Sequence, residues 1–400
     1  MTLLDRFLNY VKIDTMSDDK FDYNTPSTDK QWNLAHILED ELNKLGLQNV
    51  HINKYCTVYA YLPKTAEGYN TIGFLAHMDT IPEVSGTNVN PSVVKYEGKP
   101  INLGESGLTL SEAEFPWMKK QAGHTLVTTD GTTVLGCDDK GGIAIIMTML
   151  DELISKKLPH GDIYVSFTPD EEIGTGVLKF DTKEFPVDFA FTVDGGDYEE
   201  FSYETFNAAS AKVTFKGFDV HPGASKNQMI NASYLALEFA SLLPQNARPE
   251  YTEGYEGFNH LTHIEGSVGS AELNYILRNH SLTLLEKQKE DFRNACSFMN
   301  NKYPNSTTLV ITDQYRNMRE LIEKDMTCVN KALKAYKDAN INVRCVPTRG
   351  GTDGSRITFM GINTPNLGTG GYNEHGVHEY ADMYQMEKMV RVCLNIASTK

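Results

Sequence analysis

Three short apolar runs in the first half of the chain each end in residues that can ionise or bind a metal, and this pattern constrains the fold more than any other feature. Ile72–Ala76 runs into His77-Met78-Asp79, Ile163–Thr168 into Pro169-Asp170-Glu171-Glu172, and Phe189–Val193 into Asp194. Each run is short, β-prone and followed by turn residues, which predicts a buried strand. Between the first and second lies Gly136-Cys137-Asp138-Asp139-Lys140-Gly141-Gly142, followed at once by Ile143-Ala144-Ile145-Ile146-Met147. The last run predicts a buried helix reaching about Leu153, because apolar residues cover more than one of its faces. Strands alternating with a buried helix predict an α/β domain, and open α/β sheets bind ligands at the carboxyl ends of their strands. Four polar clusters at such positions predict one convergent site.

Elsewhere the pattern predicts helices over 2–11 and about 31–46, the second stopped by Gly46, and a strand over Val58–Leu62 stopped by Pro63. Residues 81–135 hold few long apolar runs and read as a long loop anchored by Phe115 and Trp117. Such a loop is unusual inside a compact domain and is often functional. The character changes at Ala211-Lys212-Val213-Thr214-Phe215-Lys216, which alternates as a strand with one exposed face does. A loop from Gly217 to Gly223, a helix over 231–243, strands near 259–267 and 271–279, a helix near 284–301 and a strand over Thr308–Thr312 follow. That β-α-β-β-α-β order predicts a ferredoxin-like unit. Residues 208–315 are therefore expected to form a second domain inserted into a first one made of 1–207 and 316–400.

The 400 residues suffice for two or three domains, and 40% hydrophobic with 22% charged residues suits a soluble globular chain. A net charge of −16 disfavours nucleic acid and anionic membrane surfaces as partners. No two of the six cysteines, at 56, 137, 296, 328, 345 and 393, have the C-x-x-C spacing of a thiolate metal site, so they are expected to be buried thiols. The amphipathic start lacks the basic and apolar regions of a signal peptide, and no stretch approaches the ~18 apolar residues of a membrane span. A cytoplasmic location is the resulting expectation.

His77 and Asp79 are two apart on a strand and project to one side. A ligating imidazole usually passes its other N–H to a carboxylate, so His77 suits a ligand and Asp79 its orienting partner. Of the adjacent Glu171 and Glu172, one can bind metal while the other serves as general base. Asp194, before Gly195-Gly196, is either a turn residue or a hard oxygen ligand. One histidine from Gly370-Gly371-Tyr372-Asn373-Glu374-His375-Gly376-Val377-His378-Glu379 would complete two histidines and three carboxylates. That inventory suits Zn²⁺, with Mn²⁺ or Co²⁺ as substitutes.

Taken together, the chain resembles the di-zinc peptidase superfamily of carboxypeptidases and aminoacylases, and within it the tripeptide aminopeptidases. Phe206–Ser210, Val220–Gly223, Thr252–Phe258 and Arg349-Gly350-Gly351-Thr352-Asp353-Gly354 extend the likeness over nearly the whole chain, while Cys137 stands where alanine is expected. The resemblance implies an α/β fold, a mixed sheet sandwiched by helices, with an inserted ferredoxin-like α+β lid domain. It implies two Zn²⁺ per subunit, one held by His77 and Asp194, the other by Glu172 and His375, with Asp138 bridging and the Asp138–Asp139 peptide cis. It further implies that Asp79 orients His77, that Glu171 is the general base, that His221 assists the transition state, and that Arg278 and Arg349 bind substrate. Arg278 is expected to take the C-terminal carboxylate. The expected activity is release of the N-terminal residue from tripeptides, with small peptides as partners and a possible homodimer. A dipeptidase, carboxypeptidase or N-acyl-amino-acid deacylase on the same fold is the alternative, and a non-catalytic metal-binding or interaction protein is the alternative of another class.

Overall fold

A computed structural model describes residues 1–21 and 23–400, which divide into two compact units. The first comprises Met1–Tyr203, Met318–Val346 and Thr352–Lys400, and the second Glu204–Asn317 with Pro347–Gly351. The second unit thus begins and ends a few residues outside 208–315. It also takes in the 347–351 strip, because Phe206 N–H donates to Gly350 O and Thr348 N–H to Glu204 O. No helix among the described residues is long and apolar enough to cross a membrane.

The first unit is built on an eight-stranded mixed sheet. Its strands lie in the order Gln48–Ile52, Val58–Leu62, Ile163–Thr168, Ile72–His77, Phe189–Gly195, Asn366–Gly368, Glu200–Ser202, Arg344–Cys345. The strand Ile72–His77 is parallel to both its neighbours, and every one of its residues is buried. Its alternation sorts the core: Phe74 and Ala76 join one cluster, with the helices Leu3–Val11, Cys137–Ser155 and Met383–Ser398, while Leu75 joins Phe185 and Ile357 in another. Burying each phenylalanine or leucine here contributes roughly 1.5–3 kcal/mol. Gly73 is required on the second face, since a Cβ there would lie 2.4 Å from the Phe185 ring.

Residues 81–135 are not a structureless loop. Ser92–Lys95 pairs with Thr125–Thr128, which pairs with Tyr380–Asp382, and Ile101–Asn102 forms a hairpin with Thr109–Leu110. Tyr96, Leu103, Leu110, Met118, Leu126 and Tyr380 make a small core of their own, against which Phe115 packs, while Trp117 is 44% exposed. These strands are two to four residues long and one partner lies more than 250 residues away in sequence, so no local apolar period announces them.

The second unit is a four-stranded antiparallel sheet in the order Phe258–Gly266, Ser270–Asn279, Asn207–Lys216, Thr307–Tyr315. Ala209, Ala211, Val213 and Phe215 alternate inward with Leu273, Tyr275 and Leu277, meeting Leu235 and Phe239 of the helix Ala232–Leu242 and Phe292 of Leu282–Lys302. Strand order and helix placement are those of a ferredoxin-like unit.

Candidate active site

The parallel register brings the polar clusters of the first unit together. His77 pairs with Thr168, and Leu75 with Thr192, so His77 and Asp194 end their strands side by side. The helix Cys137–Ser155 starts at the same end. Gly136 turns the chain in the left-handed region (φ 77°), and Asp138 and Asp139 have non-helical dihedrals with a cis peptide between them. Gly142 then passes so close to the sheet that a Cβ would meet Val193 O at 1.8 Å.

His77, 2% exposed, places Nε2 at 2.8 Å from Asp138 Oδ1 and 3.5 Å from Asp194 Oδ1. His375, 55% exposed, places Nε2 at 3.2 Å from Asp138 Oδ2 and 3.1 Å from Glu172 Oε2. Asp138 therefore offers one oxygen to each imidazole. His378 is elsewhere, its ring 5.5 Å from that of Phe115.

Other carboxylates hold this arrangement from behind. Asp79 Oδ1 accepts the Glu171 N–H at 2.9 Å and Oδ2 the Glu172 N–H at 3.2 Å. The His77 Nδ1 lies 3.1 Å from the Asp79 carbonyl oxygen and 3.4 Å from its carboxylate. Asp79 thus faces the ring mainly through its backbone, and its side chain fixes the two-glutamate turn. Glu379 accepts Leu135 N–H, Gly136 N–H and Asp138 N–H at 2.7, 2.7 and 3.0 Å. Asp139 accepts His77 N–H and Gly142 N–H at 3.2 and 3.1 Å. Asp170 binds Ser27 and Gln31, and Asp353 accepts from Thr168 Oγ1 at 2.6 Å. Lys140 donates to Ile13 O at 2.7 Å. The roles of Glu379, Asp139 and Asp353 have no sequence signal beyond their proximity to glycine-rich turns.

The site carries more carboxylates than cations. Burial lifts Glu171 well above the usual carboxylate range, reinforced by the charge of Asp194. Burial and the charge of Asp138 push Glu172 up to about 8. Burial would raise Asp138 too, but hydrogen bonds with His375 and His77 hold it below its ordinary value. Hydrogen bonds to Asp138 and Glu172 push His375 up to about 11. Two sets of donors, His77–Asp138–Glu172 and His77–Asp139–Asp194, each bring their ligand atoms within 4.8 Å of one another. Imidazole nitrogens and carboxylate oxygens converging with excess negative charge fit a divalent cation.

The second unit holds the remaining expected residues. His221 is exposed and caps a short 3-10 turn, its Nδ1 accepting the Gly223 N–H at 3.1 Å. In the neutral ring the proton is then on Nε2. Arg278 donates from Nη1 to Ala209 O, Leu277 O and Gln314 Oε1, leaving Nε and Nη2 without a bond among the described residues. Arg349 donates to Gly254 O, Glu256 O and Thr252 Oγ1 and lies over the Phe206 and Phe258 rings, so it clasps the 252–258 loop.

Residues 115–399 match the model of peptidase family M20/M25/M40. Peptidase T of Bacillus subtilis (strain 168) is 48% identical to this chain over 400 residues, covering 99% of this chain and 97% of that protein. The crystal structure of aminopeptidase PepT from Bacillus cereus superposes with a TM-score of 0.78 at 21% identity, covering 99% of this chain and 97% of that one. A dinuclear metal binding peptidase of the M20 family from Bacillus subtilis superposes with a TM-score of 0.66 at 13% identity, covering 99% and 96%.

Proposed function

This chain belongs to peptidase family M20/M25/M40, within its peptidase T branch, and on that premise we propose how its own residues carry out the hydrolysis. It is a metal-dependent tripeptide aminopeptidase. The observation that supports the residue assignment is the split engagement of Asp138, one oxygen toward His77 and the other toward His375. We assign His77 and Asp194 to one zinc, Glu172 and His375 to a second, and Asp138 to both. Bound there, such ions supply Lewis acidity that lowers the pKa of water and polarises the scissile carbonyl.

Glu171 is the general base. It takes a proton from the attacking water and delivers it to the nitrogen of the leaving dipeptide. Its backbone N–H, tied to Asp79, sets where that carboxylate starts from. Burial suits the role, because a carboxyl raised above its ordinary range holds the proton between the two steps. Asp79 positions both the His77 ring and the Glu171-Glu172 turn.

A panel of di-, tri- and tetrapeptides, assayed with and without chelator, tests this reading. Tripeptides should be cleaved at the first bond, and chelation should abolish turnover. Glu171→Gln keeps the size and removes the proton acceptor, so metal content should persist while turnover falls about 10²- to 10⁴-fold. Near-normal turnover in the metal-loaded variant would remove Glu171 from this role.

A further inference from the structure

An aminopeptidase must recognise a free α-ammonium group, and the inference below rests on that reading. In the substrate the ammonium nitrogen is two bonds from the scissile carbonyl carbon, about 2.5 Å away. Its receptor must therefore adjoin the residues that hold the carbonyl. An ammonium taken out of water needs a negatively charged acceptor that nothing else neutralises.

The carboxylates around the strand ends can be accounted for one by one. Asp79, Asp139 and Glu379 accept backbone N–H groups, Asp170 binds Ser27 and Gln31, and Asp353 binds Thr168. Asp138 and Glu172 face imidazoles within 3.2 Å, and Asp194 faces His77 at 3.5 Å. Glu171 is assigned to proton transfer. Glu374 remains. Its carboxylate has no side-chain partner among the described residues, and it lines a cavity together with Asp138, Asp194, Gly196, Thr369 and Gly371. Its Oε1 stands over Gly196, where an added Cβ would lie only 3.2 Å away, so the glycine keeps the space beside the carboxylate open.

We propose that the Glu374 carboxylate receives the α-ammonium of the substrate and so sets the requirement for a free N-terminus. The cavity supplies room for the ammonium and the first side chain, and the neighbouring His375 ties the position of Glu374 to the carbonyl-holding residues through one peptide bond. An N-acylated peptide would place a neutral amide against Glu374 and lose the ion pair.

The test uses two hydroxamates that differ only in the amine, alanine hydroxamate and propanohydroxamate, as inhibitors of trialanine hydrolysis by the metal-loaded enzyme. Wild type should bind alanine hydroxamate more tightly. In Glu374→Gln that preference should fall roughly 10- to 100-fold, the range for one charge-assisted hydrogen bond, with propanohydroxamate inhibition and metal content unchanged. Glu374→Asp should recover part of the preference. Gly196→Ala, which narrows the same space without touching the charge, should weaken alanine hydroxamate selectively and covers the case in which Glu374→Gln fails to fold. An unchanged preference, no preference in wild type, or equal weakening of both hydroxamates would overturn the proposal. Failure of wild type to cleave trialanine would instead overturn the aminopeptidase reading itself.

Discussion

The two units hold their polar side chains in opposite ways. Around His77, three carboxylates grip backbone amides: Asp79 those of Glu171 and Glu172, Asp139 those of His77 and Gly142, Glu379 those of Leu135, Gly136 and Asp138. In the second unit the cations grip carbonyls, Arg278 those of Ala209 and Leu277 and Arg349 those of Gly254 and Glu256, while His221 stands exposed on a short turn. The first arrangement fixes side-chain positions before any ligand arrives, as electrostatic preorganisation requires. The second leaves individual donors available, the Nε2–H of His221 and the Nε–Nη2 edge of Arg278. Rigidity thus marks the residues expected to hold metal, and free donors mark those expected to meet substrate.

If that contrast is functional, an exposed histidine should matter almost as much as a buried base. His221→Ala should lower kcat by about 10²- to 10³-fold, the cost of removing one oxyanion donor, with metal content and tripeptide affinity nearly unchanged. A loss confined to KM would make His221 a positioning residue instead. Arg278→Ala should act more weakly and on the other parameter. With one charge-assisted bond lost, KM for tripeptides should rise roughly 10-fold or more, and the preference for free tripeptides over their amides should narrow. An undiminished preference would show that the free guanidinium edge does not take the carboxylate.

The smallest effect concerns stability. His280 is buried beside Phe206 and Tyr255, and burial lowers its pKa below 6.5. Folding therefore favours the neutral ring. The stability it contributes is complete above pH 6.5 and declines as pH falls below that value, by at most about 1.4 kcal/mol per pH unit. Protection factors for amide exchange in the Ser270–Asn279 strand, corrected for the intrinsic pH dependence of exchange, should fall between pH 7 and pH 5.5, and His280→Gln should flatten that dependence. Equal acid sensitivity with and without the imidazole would place the titration elsewhere.

Much of this organisation is legible in the sequence. A strand that is buried on both faces announces itself as a continuous apolar run, so Ile72–His77 and Phe189–Gly195 could be read directly, along with what stands at their ends. The ferredoxin-like unit is readable for a related reason, since Ala211 to Lys216 alternates with the pleat. The small sheet within 81–135 is not, because strands of two to four residues carry no period and Thr125–Thr128 finds its partner at Tyr380–Asp382.

For the site the division falls between chemical type and hydrogen-bond partner. The residue types at the ends of apolar runs, with the glycines between them, determine by themselves that His77, Asp138, Glu171, Glu172 and Asp194 converge, because parallel strands end on one side of a sheet. Only the tertiary structure decides which carboxylates face the cavity and which face the backbone. Asp79 and Glu171 are alike in sequence, each an acid just past a strand, yet one accepts two amide hydrogens and the other does not. Glu374 and Glu379 stand in one turn, yet Glu379 holds three amides and Glu374 none from its neighbours. The reason is physical: a carboxylate is committed by whichever N–H groups the folded backbone brings within about 3 Å, and those groups come from distant segments, 92 and 93 residues away for Asp79 and 241 to 244 for Glu379.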